Sequence, residues 1–165
     1  MPRAIQVYTD PLQHALIAAA VAAPLGRPAV RAAVTAALVI DLDHAVAARS
    51  VRVRDTTALP TRPRTHSLVT AFAAGAAVAR TRGPREGWAV FGGLVSHFLH
   101  DAGDRAAPTP MLWPFAPARQ IGRRRQVVFT AALVAVSLAA GAASRRRTSA
   151  ACGGSGAGTA PPRTA

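Results

Sequence analysis

The ionisable side chains of this chain are set into apolar segments, and that placement restricts what it can fold into. All five histidines, together with Asp10, Asp41, Asp43 and Asp101, lie inside or against runs rich in Ala, Val and Leu. They form four clusters: Asp10 to His14, Asp41-Leu42-Asp43-His44, Arg64-Thr65-His66-Ser67 and Ser96-His97-Phe98-Leu99-His100-Asp101. Burying an imidazole or a carboxylate alone is costly. Several of them recurring at the ends of apolar helices therefore implies that they meet one another or a metal ion.

Pro, Gly and Arg punctuation separates five helical runs, at 11–23, 29–47, 66–80, 85–101 and 123–143. No alternating strand pattern competes with them, so the expected fold is all-α: a small antiparallel bundle of about five helices. Half of the residues are hydrophobic, but Ala supplies so many of them that a soluble bundle and a membrane bundle both fit the composition. Val127 to Ala143 is an uncharged run close to the roughly 17–25 apolar residues that a spanning helix needs, and it is the best membrane segment in the chain. Residues 15–23 resemble the core of a signal peptide. Asp10 and His14 stand where a basic leader region belongs, however, and the expectation is an uncleaved helix. The domain organisation that follows is a helical membrane domain over 1–147 and a disordered Gly/Ser/Thr/Pro tail over 148–165.

The formal charge of +13 comes from arginine alone, in short loop groups such as Arg49 to Arg54, Arg62 to Arg64 and Arg123 to Arg125. Such groups do not line one helix face between aromatic residues, which argues against nucleic acid as a partner. They suit the flanks of membrane segments. Cys152 is the only cysteine, which excludes a disulfide framework and a cysteine metal knuckle. Ser67 and Ser96 each neighbour a histidine, but the chain has no nucleophile elbow, phosphate loop or dinucleotide fingerprint.

Antiparallel succession of the helices turns the clusters into one site. His14 then starts the first helix, Asp41 and His44 end the second, His66 starts the third, and His97 and Asp101 end the fourth, all at one end of the bundle. The loop between the second and third helices, rich in arginine, shares that end, so the positive-inside rule places the site at the cytoplasmic face. His97 and Asp101 are four residues apart and share a helix face, a spacing that lets an imidazole and a carboxylate hold one cation from a rigid element. Asp41 and His44 repeat the logic at a spacing of three, leaving Asp43 on a different face, as an outer partner of a ligand or as a general base. Either Thr65 or Ser67 can cap the third helix. Leu112-Trp113-Pro114-Phe115 reads as a rigid apolar loop, suited to the membrane interface or to walling the site.

In this order the motifs resemble those of the YdjM-type family of bacterial inner-membrane proteins. Members typically carry an early His, an Asp-x-Asp at the end of the second helix, a His-Arg-Gly-x-Thr-His-Ser segment, a Ser-His-x-x-x-Asp helix end and a closing Leu-Trp-Pro-Phe. The counterparts here are His14, Asp41-Leu42-Asp43, the segment Thr61 to Ser67, Ser96 to Asp101, and Leu112 to Phe115. Thr61 replaces the first histidine of the third motif, and Ile40 stands where the family often has proline. The resemblance implies a membrane-bound, metal-dependent hydrolase. On that reading His14, Asp41, His66, His97 and Asp101 are metal ligands, Asp43 is the catalytic carboxylate or an outer partner, and the cofactor is a divalent ion that zinc, manganese or magnesium could supply. The expected substrate is a phosphoester or a lipid-derived ester, with membrane lipid as partner. The expected location is the inner membrane, multi-pass, with the site facing the cytoplasm. The alternative is a non-enzymatic membrane protein in which the same residues form a structural metal site or a polar core.

Overall fold

The computed structural model describes residues 3–103 and 107–153. Its helices are α1 (Arg3–Ala22), α2 (Arg27–Val39), α3 (Leu42–Ala48), α4 (Val53–Thr57), α5 (Leu68–Arg82), α6 (Pro84–Gly103) and α7 (Arg123–Gly153). The five expected runs correspond to α1, α2 with α3, α5, α6 and α7, and the fold is all-α.

Each boundary has a local cause. The 3₁₀ turn Ala23–Leu25 and Gly26 end α1, and prolines stand in the first turns of that 3₁₀ segment and of α2, where a missing N–H costs no hydrogen bond. Ser67, the residue after His66, caps α5 by accepting from the Thr70 N–H at 3.4 Å. The third helix therefore begins at Leu68, and His66 lies just outside it. Gly83, with φ +106°, reverses the chain directly into Pro84 of α6, a conformation that L side chains rarely adopt.

The run expected at 29–47 is divided at Ile40–Asp41. There the Asp43 N–H donates to the Ile40 carbonyl at 3.1 Å and the His44 N–H to the Asp41 carbonyl at 3.2 Å. These three-residue bonds tighten the winding and rotate α3 relative to α2. At the other end of the chain α7 continues past Arg147 to Gly153, beyond the expected start of the tail, and residues 154–165 lie outside the described residues.

Helix α6 is the axis of the bundle: it packs on α1, α2, α5 and α7 and is buried over most of its length. The core against α1 and α2 is made almost wholly of alanine, namely Ala18, Ala22, Ala29, Ala33, Ala37 and Ala89. A second cluster, Ala71, Val90, Leu94 and Phe98, joins α5 to α6. Many of the large apolar side chains face outward instead, among them Leu12, Leu16, Phe72, Trp88, Val128 and Leu138. Small residues inside and large ones outside let the helix backbones approach closely. Among the described residues one helix segment, Arg123–Ala143, is long and apolar enough to cross a membrane.

Close approach makes particular glycines irreplaceable. A Cβ at Gly93 would lie 2.8 Å from the Ala33 carbonyl oxygen of α2, and one at Gly87 would lie 2.5 Å from the Ala79 Cβ of α5. Gly93→Val should therefore force α2 from α6 and destabilise the protein by about 1–3 kcal/mol, the usual cost of overpacking. A thermal melt in detergent measures it. An unchanged midpoint would show that the helices do not pack this closely.

Candidate metal centre

Four elements deliver the site. The α2–α3 turn brings Asp41, the segment before α5 brings His66, the last turns of α6 bring His97 and Asp101, and α1 brings His14. His66 is held by its own N–H, which donates to the Pro63 carbonyl at 3.0 Å, and by the Ser67 cap that follows it. His97 and Asp101 share one face of α6, as their spacing predicts.

The four groups converge on a point. His66 Nε2 lies 3.2 Å from Asp101 Oδ2, 3.3 Å from His97 Nε2 and 3.8 Å from Asp41 Oδ1. His97 Nε2 lies 3.3 Å from Asp41 Oδ1 and 3.4 Å from Asp101 Oδ2. A tetrahedron of nitrogen and oxygen donors about 2.0–2.1 Å from its centre has edges of roughly 3.3–3.4 Å. His66 Nε2, His97 Nε2 and Asp101 Oδ2, mutually 3.2–3.4 Å apart and at most 1 % exposed, therefore fit one face of the shell of a small divalent cation, with Asp41, at 34 %, on the solvent side.

Outer partners orient these ligands. Asp43 Oδ2 lies 3.2 Å from His66 Nδ1 and also accepts from the Thr65 hydroxyl, while Asp43 Oδ1 lies 3.0 Å from His44 Nδ1. An imidazole that donates its Nδ1–H to a carboxylate presents the Nε2 lone pair, the tautomer a metal requires. Asp43 thus faces the nitrogen of His66 that points away from the convergence point. Of the two roles expected for Asp43, this placement matches the outer partner of a ligand imidazole. His44 does not reach the centre either, since Arg62 Nη1 donates to its Nε2 at 3.0 Å. Thr61 is exposed.

His14 is brought in on the other side of α6. Its ring stacks on that of His97 at 3.7 Å, and its Nε2 faces Asp101 Oδ1 at 3.6 Å, not the Oδ2 that meets His66 and His97. Arg62 was not singled out as a site residue from sequence, yet its Nη2 lies 3.2 Å from Asp101 Oδ1. The preceding residue is the family's histidine position, and that adjacency was the available signal. The loop after α6 seals this end: the Arg62 N–H donates to the Pro108 carbonyl at 3.0 Å and the Leu68 N–H to the Met111 carbonyl at 2.8 Å. Leu112 and Phe115 stay exposed at its tip, so the loop's apolar residues point outward and do not wall the site.

Electrostatics follow from this crowding. Burial raises the carboxyls of Asp41 and Asp43, but hydrogen bonds from His66 and His97 to Asp41, and from His44, His66 and Thr65 to Asp43, override it and hold both well below the usual carboxylate range. Burial disfavours a charged His66, but Asp101, Asp41 and Asp43 outweigh it and push the imidazole up to about 10. Without a cation His66 therefore keeps a proton through neutrality. That proton stabilises the fold fully below the unfolded value of about 6.5, and the contribution is lost as pH rises through about 10. A metal must displace it. Metal uptake near pH 7 should therefore release at least one proton, and apparent affinity should rise about tenfold per pH unit for each proton displaced between 6.5 and 9. Calorimetry in buffers of different ionisation enthalpy checks this, and a pH-independent affinity would contradict it.

A family model described as "YdjM inner membrane protein" matches residues 10–159. No curated protein and no solved structure matches the chain.

Proposed function

The chain belongs to the YdjM inner membrane protein family, and from that premise we propose that it is a membrane-bound, metal-dependent hydrolase of a phosphoester or lipid-derived ester. The observation that carries the reading is the buried set of His66 Nε2, His97 Nε2 and Asp101 Oδ2, with a fourth position facing the solvent-side Asp41. A structural site is closed, whereas a catalytic one keeps an open position for water or substrate.

A divalent cation held there supplies a Lewis acid that polarises the ester and acidifies water. The chain supplies the rest. Asp43 fixes the His66 tautomer, Arg62 neutralises part of the buried Asp101 charge, and the solvent-facing Asp41 is placed to take the proton from the attacking water. Water adds to the phosphorus or acyl carbon, the ester C–O or P–O bond breaks, and the proton passes to the departing alkoxide.

Two apolar grooves support a lipid-derived substrate. One, of about 630 Å³ between α1 and α7, is lined by Leu16, Ile17, Val134 and Leu138 and reaches His100 and Arg123 at the site end. The other, of about 830 Å³ among α2, α5 and α6, reaches Asp43. The inside-out packing supports several membrane-crossing helices, and the arginines of the 49–64 loop and the start of α7 support a cytoplasmic site.

The test uses detergent-extracted full-length protein, assayed for bound metal and for hydrolysis of nitrophenyl phosphodiesters and acyl esters with and without a chelator. Turnover that chelation abolishes and added metal restores is the expected result. Bound metal without turnover, with chelation lowering only the thermal midpoint, would instead establish the non-enzymatic alternative.

A further inference from the structure

Beyond the four converging donors, a second set lies on the opposite oxygen of Asp101. His14 Nε2 is 3.6 Å from Asp101 Oδ1 and 3.8 Å from Asp10 Oδ2, and His100 Nδ1 is 3.7 Å from Asp10 Oδ1. Each separation is too long for a hydrogen bond and short enough for two ligands of one ion. His14 and His100 are buried, at 2 % and 5 % exposure.

The tautomer of His100 sharpens the point. Gln13 Oε1 accepts from the Nε2–H of His100 at 2.9 Å, which leaves Nδ1 with its lone pair. That Nδ1 is buried and makes no hydrogen bond, and it faces the carboxylate of Asp10, which is also an acceptor. A cation between these two acceptors would satisfy both. An amide oxygen on the far nitrogen of an imidazole is the usual outer support of a metal-binding histidine. Asp10, at 37 % exposure, leaves the site a path to solvent. Arg62 Nη2 also meets Asp101 Oδ1, at 3.2 Å.

We propose that Asp10, His14 and His100 hold a second divalent cation, joined to the first through Asp101, whose Oδ2 faces His66 and His97 and whose Oδ1 faces His14. The centre is then a carboxylate-bridged pair, an arrangement in which ions about 3.5–4 Å apart can hold the attacking and the leaving oxygen of a displacement. The inference rests on the proposed metal centre for the role of Asp101. It assigns His14 to the second ion instead of the first, and it adds Asp10 and His100 as ligands.

Manganese is the probe. Full-length protein in detergent, equilibrated with Mn²⁺ and freed of excess, should carry two ions per chain and give an exchange-coupled paramagnetic resonance spectrum. Asp10→Asn and His100→Gln should each bind one ion and give the six-line signal of isolated Mn²⁺, the retained ion reporting that the fold is intact. His97→Ala should lose the first ion. Wild-type protein that binds a single ion, with the Asp10→Asn and His100→Gln variants also binding one, would overturn the second site and leave the first standing. Wild-type protein that binds none would overturn both.

Discussion

Alanine at His97 or at Asp101 should abolish binding of an ion at the shared point and any phosphoester or ester hydrolysis together. Each side chain contributes an atom to the shared point, and each is at most 1 % exposed. Losing an outer partner costs roughly 10–100-fold in metal affinity, so losing a ligand itself should cost about 100-fold or more. The two variants differ in what they leave behind. His97→Ala leaves Asp101 with His66, His14 and Arg62, while Asp101→Ala leaves Arg62 and three imidazoles around an empty volume, a change of the kind that costs about 3–5 kcal/mol when a buried charge loses its partner. Asp101→Ala should therefore also melt earlier than His97→Ala. Metal content by mass spectrometry, turnover and a thermal melt on the same preparations measure all three. Metal content equal to that of the wild type in either variant would remove that residue from the centre.

Asp41→Asn should separate binding from chemistry. The amide keeps the shape of the carboxylate and an oxygen that can still face His66 Nε2 and His97 Nε2, so much of the bound metal should remain. It cannot take a proton from water. Turnover should fall by about 10²–10⁴-fold, the usual contribution of a general base, with a smaller change in metal content. Equal losses of metal and turnover would make Asp41 a ligand only, and the proton acceptor would then lie elsewhere. Asp43→Asn offers the contrast: a positioning residue should weaken metal binding through His66 and leave the rate of the fully loaded protein nearly intact.

The pairing of His97 with Asp101 was legible because it is local. One turn of a helix fixes both side chains on a face, and periodicity alone places them. The common end for His14, Asp41, His66 and His97 was legible too, since short loops between helices force antiparallel neighbours. The Ser67 cap follows from the chemistry of a hydroxyl before an apolar run. The break at Ile40–Asp41 was not legible. Neither residue is a helix breaker, and both keep right-handed helical angles on either side of the tightened turn. That turn decides that Asp41 reaches the centre while Asp43 backs His66 and His44 meets Arg62.

What the sequence determines by itself is a set of helices and the end at which their ionisable groups collect, because both depend on the order of residues along the chain and on the fixed period of a helix. Which oxygen meets which nitrogen depends on rotations between helices that are far apart in sequence. Asp101 turning Oδ2 to His66 and Oδ1 to His14, and Gln13 reaching His100 across 87 positions, are consequences of how closely α1, α2 and α6 approach through alanine and glycine. That approach is set by small side chains acting jointly on three helices, so only the assembled tertiary structure decides it.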